Sequence, residues 1–395
     1  MGASNCYLAD TMEILLHTDV LRWARQRAGL SIDALAEKLK AKPGTVRSWE
    51  ENGRITMTHA ERLAKAARIS LGYLYCPTPP KEELPVQDFR TLEAAPVESP
   101  SPELLDVLYD ALRKQEWYRD HLLSEGAAPL PFIGSFSGSE NPLSAANRIR
   151  QTQGVTSGVK INGSPADVLR HQVAHIEARG VLVLRSRIVG NNTHRPLNVE
   201  EFRGFALSDP YAPLIFINAK DSQSAQIFTL MHELVHLWLG ESGVSNPLAS
   251  SAVPGGIERF CNVVAAELLV PKEEFQREWK EVARSNDPFG ALASHFKVSS
   301  LVILRRAQDL GVLSEAQFKR LYKEAEESFR TVASKASKGG DFHATQFTRH
   351  SRTFIRALVT STLEGRTPYR DALNLVGMSK IQTFKDLATK VIKAT

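Results

Sequence analysis

Three polar side chains stand in an otherwise apolar run, Ile227-Phe228-Thr229-Leu230-Met231-His232-Glu233-Leu234-Val235-His236-Leu237-Trp238-Leu239-Gly240. A helix turns about 100° per residue, so His232 and His236 come nearly onto one face. Two imidazoles one turn apart can grip a zinc ion, and Glu233 is left beside it to take a proton from water. Without such a partner, burying a carboxylate and two imidazoles among Leu230, Met231, Leu234, Val235, Leu237 and Trp238 is costly.

A zinc site of this kind needs a third protein ligand. A later histidine on the same segment is excluded, because Leu239 and Ser242 stand where the H-E-x-x-H-x-x-G-x-x-H pattern places its glycine and last histidine. The helix expected from Ile257 to Val270, stopped by Pro271, offers Glu258 as the preferred ligand and Glu267 as the second choice. Glu241, Asp209 and Asp221 rank below them, since no element brings them opposite the histidines. Asn262, one turn after Glu258, is placed to orient a ligand.

The elements that must position these groups are legible around them. Asp221-Ser222 caps the central helix and Gly240 ends it. A helix from Ser164 to Arg179 stops at Gly180, and Val181 to Leu184 then reads as a buried strand. Phe205 to Leu207 is a second strand and Pro213 to Asn218 a third. Pro213 suggests an edge position for the third, which would let it align an extended peptide by strand addition. Helices dominate the rest, including Leu104 to Leu123. The fold class expected is mainly α with a small β-sheet, an α+β arrangement.

From Asp19 to about Leu74 the chain reads as short helices separated by small turns. Ser31 caps a helix from Ile32 to Leu39, Pro43 opens the next, Asn52-Gly53 closes it, and a fourth runs from about His59 to Arg68. The segment resembles the Cro-repressor-like (XRE) helix-turn-helix family through Ser31, Leu35-Ala36, Val46, Trp49-Glu50 and Gly53, with Arg25 placed to pair with Glu50. The resemblance implies an all-α DNA-binding domain whose third helix enters the major groove. It puts Lys42, Thr45, Arg47 and Ser48 toward DNA, with Asn52 and Arg54 near phosphates. Pro43 and Gly44 replace polar side chains there, removing two candidate base contacts.

Pro77, Pro79, Pro80, Pro85, Pro96, Pro100 and Pro102 mark an extended connector. The expected organisation is a helix-turn-helix domain over 1–76, a Pro-rich linker over 77–103, a metal-binding domain over 104–330 and a helical region over 331–395.

Thr229 to His236, then Glu258-Arg259-Phe260-Cys261-Asn262 and Ala265 to Pro271, resemble the ImmA/IrrE metallopeptidase family. The similarity extends from Gln87-Asp88-Phe89-Arg90 to a tail pattern with Gly339-Gly340-Asp341-Phe342, Arg349, Gly365, Tyr369 and Ala372. It implies a gluzincin-like domain with His232, His236 and Glu258 on zinc and Glu233 as general base. It also implies fusion to XRE modules and a protein substrate such as a repressor. Ala291 to Arg306 has the pattern of a second helix-turn-helix, but reads more simply as part of this helical domain.

Bulk composition narrows the setting. A net charge of +5 suits a DNA partner without requiring one. Cys6, Cys76 and Cys261 are too few and too separated for a disulfide framework, which fits a reducing compartment. No leader, N-myristoylation signal or membrane-length apolar run is expected, so the chain reads as cytoplasmic with no membrane partner. The partners implied are operator DNA and a regulatory protein substrate or toxin-like partner, with homodimerisation allowed. The competing reading is a repressor or antitoxin-like binding protein whose metal fold is structural or sensory.

Overall fold

A computed structural model describes residues 12–81, 83–89, 100–246, 256–332 and 342–393. These residues fall into two compact units, one reaching to Pro85 and including residues 100–105, the other comprising residues 86–89 and everything described from Asp106 onward. Cys6, Pro96, Pro247, Pro254, Gly255 and Gly339 to Asp341 lie outside the described residues.

The first unit runs β1 (Glu13–Leu15), α1 (Thr18–Arg27), α2 (Ile32–Leu39), α3 (Pro43–Asn52), β2 (Arg54–Thr56) and α4 (Met57–Ala67). Ser31 caps α2 by accepting from the Ala34 amide, and Thr56 caps α4 by accepting from the His59 amide. Val20, Leu21, Ala24, Leu35, Leu39, Val46, Trp49 and Leu63 recur at helical spacing and form one core. The Arg25 guanidinium donates to both oxygens of Glu50, at 2.6 and 3.1 Å, tying α1 to α3. Beside these helices β1 and β2 pair antiparallel, with Ile14 opposite Ile55, a small addition that the helical reading did not include. Strands of three residues are too short for alternation to register in the sequence.

The second unit opens with β3 (Gln87–Asp88), followed by α5 (Pro102–Ser124), which belongs to it from Asp106 onward, α6 (Pro142–Gln153) and α7 (Pro165–Glu177). Then come β4 (Leu182–Ser186), β5 (Gly204–Leu207), β6 (Leu214–Asn218), α8 (Gln223–Leu239), β7 (Gly243–Ser245) and α9 (Ile257–Leu269). The remaining helices are α10 (Lys272–Val282), α11 (Pro288–Phe296), α12 (Ser300–Asp309), α13 (Glu315–Val332), α14 (Phe342–His350), α15 (Arg352–Leu363), α16 (Tyr369–Leu375) and α17 (Ile381–Lys393). Mainly helical with small sheets, this is the expected fold class.

The sheet order is β3-β7-β5-β6-β4. β6 is therefore not the edge expected from Pro213: it pairs antiparallel with β5 and parallel with β4, and all five of its residues are buried. Pro213 precedes the ladder and contributes only its carbonyl, which accepts from the Leu182 amide at 2.9 Å. Its missing N–H costs the sheet nothing.

α8 lies across this sheet and packs against α7 and α9. Leu230, Met231, Leu234, Val235, Leu237 and Trp238 are buried in one core, with Trp238 against Phe132 and Phe136. The approach to β5 is close: a Cβ on Gly204 would meet Thr229 Cγ2 at 2.6 Å and Glu233 Oε1 at 3.0 Å. Ser222 caps the start, and amides of Gly134 and Phe136 donate to the Leu237 and Trp238 carbonyls at the end. α11 and α12 belong to the same core. Arg306 pairs with Glu267 and donates to the Val270 carbonyl, while Arg305 lies 5.1 Å above the Phe318 ring, so both arginines serve packing. Among the described residues no helix is long and apolar enough to cross a membrane.

Candidate metal centre

α8 and α9 bring three donors together. His232 Nε2 and His236 Nε2 lie 3.0 Å apart, and the Glu258 carboxylate, from the first turn of α9, is 3.3 Å from the first and 2.9 Å from the second. His232, His236 and Glu258 are the only group among the described residues that could hold a metal ion, with ligand atoms within 4.8 Å of one another. All three are buried. Asn262 Oδ1 stands 3.0 Å from His232 Nδ1. That bond places a proton on Nδ1 and leaves the Nε2 lone pair aimed at the shared centre.

Glu233 faces the sheet. Ser245 Oγ, on β7, donates to Glu233 Oε1, and Oε2 has no hydrogen-bond partner. Burial pushes the Glu233 carboxyl up to about 8, against the opposing pull of His232 and Ser245. Burial also opposes ionisation of Glu258, but the two imidazoles outweigh it and hold that carboxyl well below the usual range. His232 is raised, since Glu258 beside it overcomes the cost of burial, whereas burial prevails at His236 and lowers it.

This donor set fits a divalent cation. Neither Glu258 oxygen makes an aligned hydrogen bond, although both face imidazole nitrogens. A buried anion among converging lone pairs lacks a partner that a cation would supply. Two nitrogens and one carboxylate leave room for a fourth, exchangeable position.

The other carboxylates considered from the sequence have different partners. Glu267 is paired with Arg306, Asp221 with Arg203, and Asp209 accepts from the amides of Tyr211 and Ala212. Sequence reasoning missed two neighbours of the centre. Ser245 lies in a three-residue strand with no local signature, and the Phe89 ring stacks on His236 at 5.0 Å with 21° between planes. Phe89 was legible only as part of the Gln87-Asp88-Phe89-Arg90 resemblance.

In the first unit, Lys42 precedes α3 as its N-cap, and Thr45 and Arg47 are exposed on that helix. Ser48 is half-buried, while Asn52 and Arg54 are exposed where the helix ends and β2 begins. Asn52 is engaged within the chain: its Nδ2 donates to Ser48 Oγ at 2.9 Å and its Oδ1 accepts from the Arg54 amide at 2.8 Å. It shapes the turn that presents Arg54.

Residues 21–74 match the helix-turn-helix family, and residues 176–308 match the IrrE N-terminal-like domain, a peptidase family. Residues 350–390, covering α15 to α17, match a domain of unknown function. No curated protein matches the chain. The second match contains His232, Glu233, His236 and Glu258, and the first contains α3.

Proposed function

We propose that this chain, which carries a helix-turn-helix domain ahead of an IrrE N-terminal-like peptidase domain, is a DNA-binding regulator with a zinc-dependent endopeptidase that cleaves a regulatory protein such as a repressor. The observation that carries the peptidase half is the convergence of two Nε2 atoms and a buried carboxylate beside the separately held carboxyl of Glu233. His232, His236 and Glu258 would hold the zinc, with Asn262 orienting His232. The ion, when bound, supplies Lewis acidity for water and for the scissile carbonyl.

Glu233 does the proton work. Ser245 fixes one oxygen, which leaves Oε2 free to accept a proton from water and return it to the departing amine. Burial raises the Glu233 carboxyl and a bound cation would lower it again, so that the carboxylate can take the proton and the acid can return it. For the DNA half, the exposed Lys42, Thr45, Arg47 and Arg54 would contact the duplex, and Ser48 and Asn52 would shape the helix end. A regulator on DNA with a protein target is proposed to work in the cytoplasm.

A second reading has one observation in its favour. His232 and Glu233 are fully buried and Phe89 covers His236, as a structural or sensory metal site in a repressor or antitoxin-like protein would be. The discriminating experiment compares proteins cut in cells by the native chain and by Glu233→Gln, with metal content measured on both. Cleavage lost in Glu233→Gln with zinc retained is the expected result. Identical cleavage patterns, or none in either, would sink the peptidase assignment.

A further inference from the structure

Because β6 is interior, the sheet offers an extended peptide only its ends, and at one end the chain itself takes the place. β3 runs parallel to β7, with Gln87 opposite Gly243 and Asp88 opposite Val244. The Gln87 amide donates to the Ser242 carbonyl at 3.3 Å, and the Phe89 amide to the Val244 carbonyl at 2.9 Å. The Phe89 ring lies on the Gly243 backbone, where a Cβ would meet its Cε2 at 2.1 Å, and stacks on His236. β7 is also the strand whose Ser245 holds Glu233. Backbone pairing, the proposed general base and a metal ligand therefore meet at this one sheet edge.

We propose that the outer edge of β7 is the docking strand for an extended polypeptide substrate, and that residues 87–89 occupy it as a built-in strap that leaves before substrate enters. This rests on the peptidase reading above. The strap is short and lies at the rim of the sheet: Gln87 is exposed, and Asp88 and Phe89 are half-buried. The neighbouring β5 and β6 are buried throughout. An edge segment with no fully buried residue opens more readily than the core. An incoming strand would replace the same backbone bonds whatever its sequence, whereas the shelf over Gly243 and beside His236 selects a flat or bulky apolar side chain at that register. The substrate class is thus an extended segment bearing an aromatic or large apolar residue where Phe89 now sits.

The test uses the zinc-loaded full chain and a fluorescein-labelled peptide of its own sequence from Leu84 to Leu92, read by anisotropy, with labelled casein as a cleavage probe. A tethered strap competes at high effective concentration, so Phe89→Ala and Gln87→Pro should each bind the peptide about tenfold tighter than the native chain and cleave casein faster. Peptide affinity unchanged or weakened in both variants would overturn the proposal; a weakened affinity would make β3 itself the docking strand. Tighter peptide binding without casein cleavage in any form would uphold the docking edge and count against the peptidase reading instead. Amide exchange on the native chain needs no variant. Gln87 and Phe89 should exchange much faster than Ile215 and Ile217, and equal protection would overturn the strap.

Discussion

Glu258 and Glu267 sit on one helix, carry the same chemistry and have opposite surroundings. Glu258 meets two imidazoles, while Glu267 meets the Arg306 guanidinium. Glu258→Gln is expected to lower zinc affinity by more than the ten- to hundredfold typical of losing an outer partner such as Asn262. Glu267→Gln should keep the zinc but leave Arg306 buried without its counter-charge, at a cost of about 3–5 kcal/mol. Dialysis against a metal buffer and urea unfolding separate the two effects, and the opposite pattern would mean the ligand set is wrong. The H-E-x-x-H spacing was legible because it is local to one helix. The two glutamates were ranked from the place of Glu258 early on the following helix, and Glu267 stayed open as second choice, because only packing of α9 against α8 and α12 distinguishes them.

Helices were easier to read than strands. α8 begins and ends at the capping residues read from the sequence, since Ser222 and Gly240 act through neighbours a few residues away. The position of β6 in the sheet depends on partners far along the chain, so a proline in front of it misled. β3 and β7 were invisible for another reason, being too short to show alternation. α14 carries a pH effect that no local pattern announces. His350 is buried against Gln346, and burial, helped by Lys114 and Arg349, pushes its imidazole well below the usual value. The unfolded imidazole, near 6.5, therefore takes up a proton that the folded one refuses. Below about pH 6.5 the unfolded state binds more protons, so stability falls with falling pH, by up to about 1.4 kcal/mol per unit from this group. His350→Gln should flatten the decline in urea midpoint between pH 7 and pH 5. An unchanged slope would show that the imidazole titrates freely in the fold.

Two units with separate cores should carry separable activities. Arg47→Ala is expected to weaken DNA binding across sequences and to reduce the salt slope by about 1, leaving zinc content and peptide cleavage as in the native chain. A loss of metal in that variant would contradict independent assembly. The prolines after Cys76 suggest a connector from composition alone, whereas contacts within a unit leave no such mark in the sequence. The helix-turn-helix match starts at residue 21, yet the chain before it is woven into the module. β1 pairs with β2, the Leu16 amide donates to the Gly53 carbonyl at 2.9 Å, and the Met57 amide donates to the Met12 carbonyl at 3.0 Å. A gene fragment trimmed to the matched limits would keep α3 and discard the selvedge that sews its end to the start of α4. The portable form of this module begins no later than Met12.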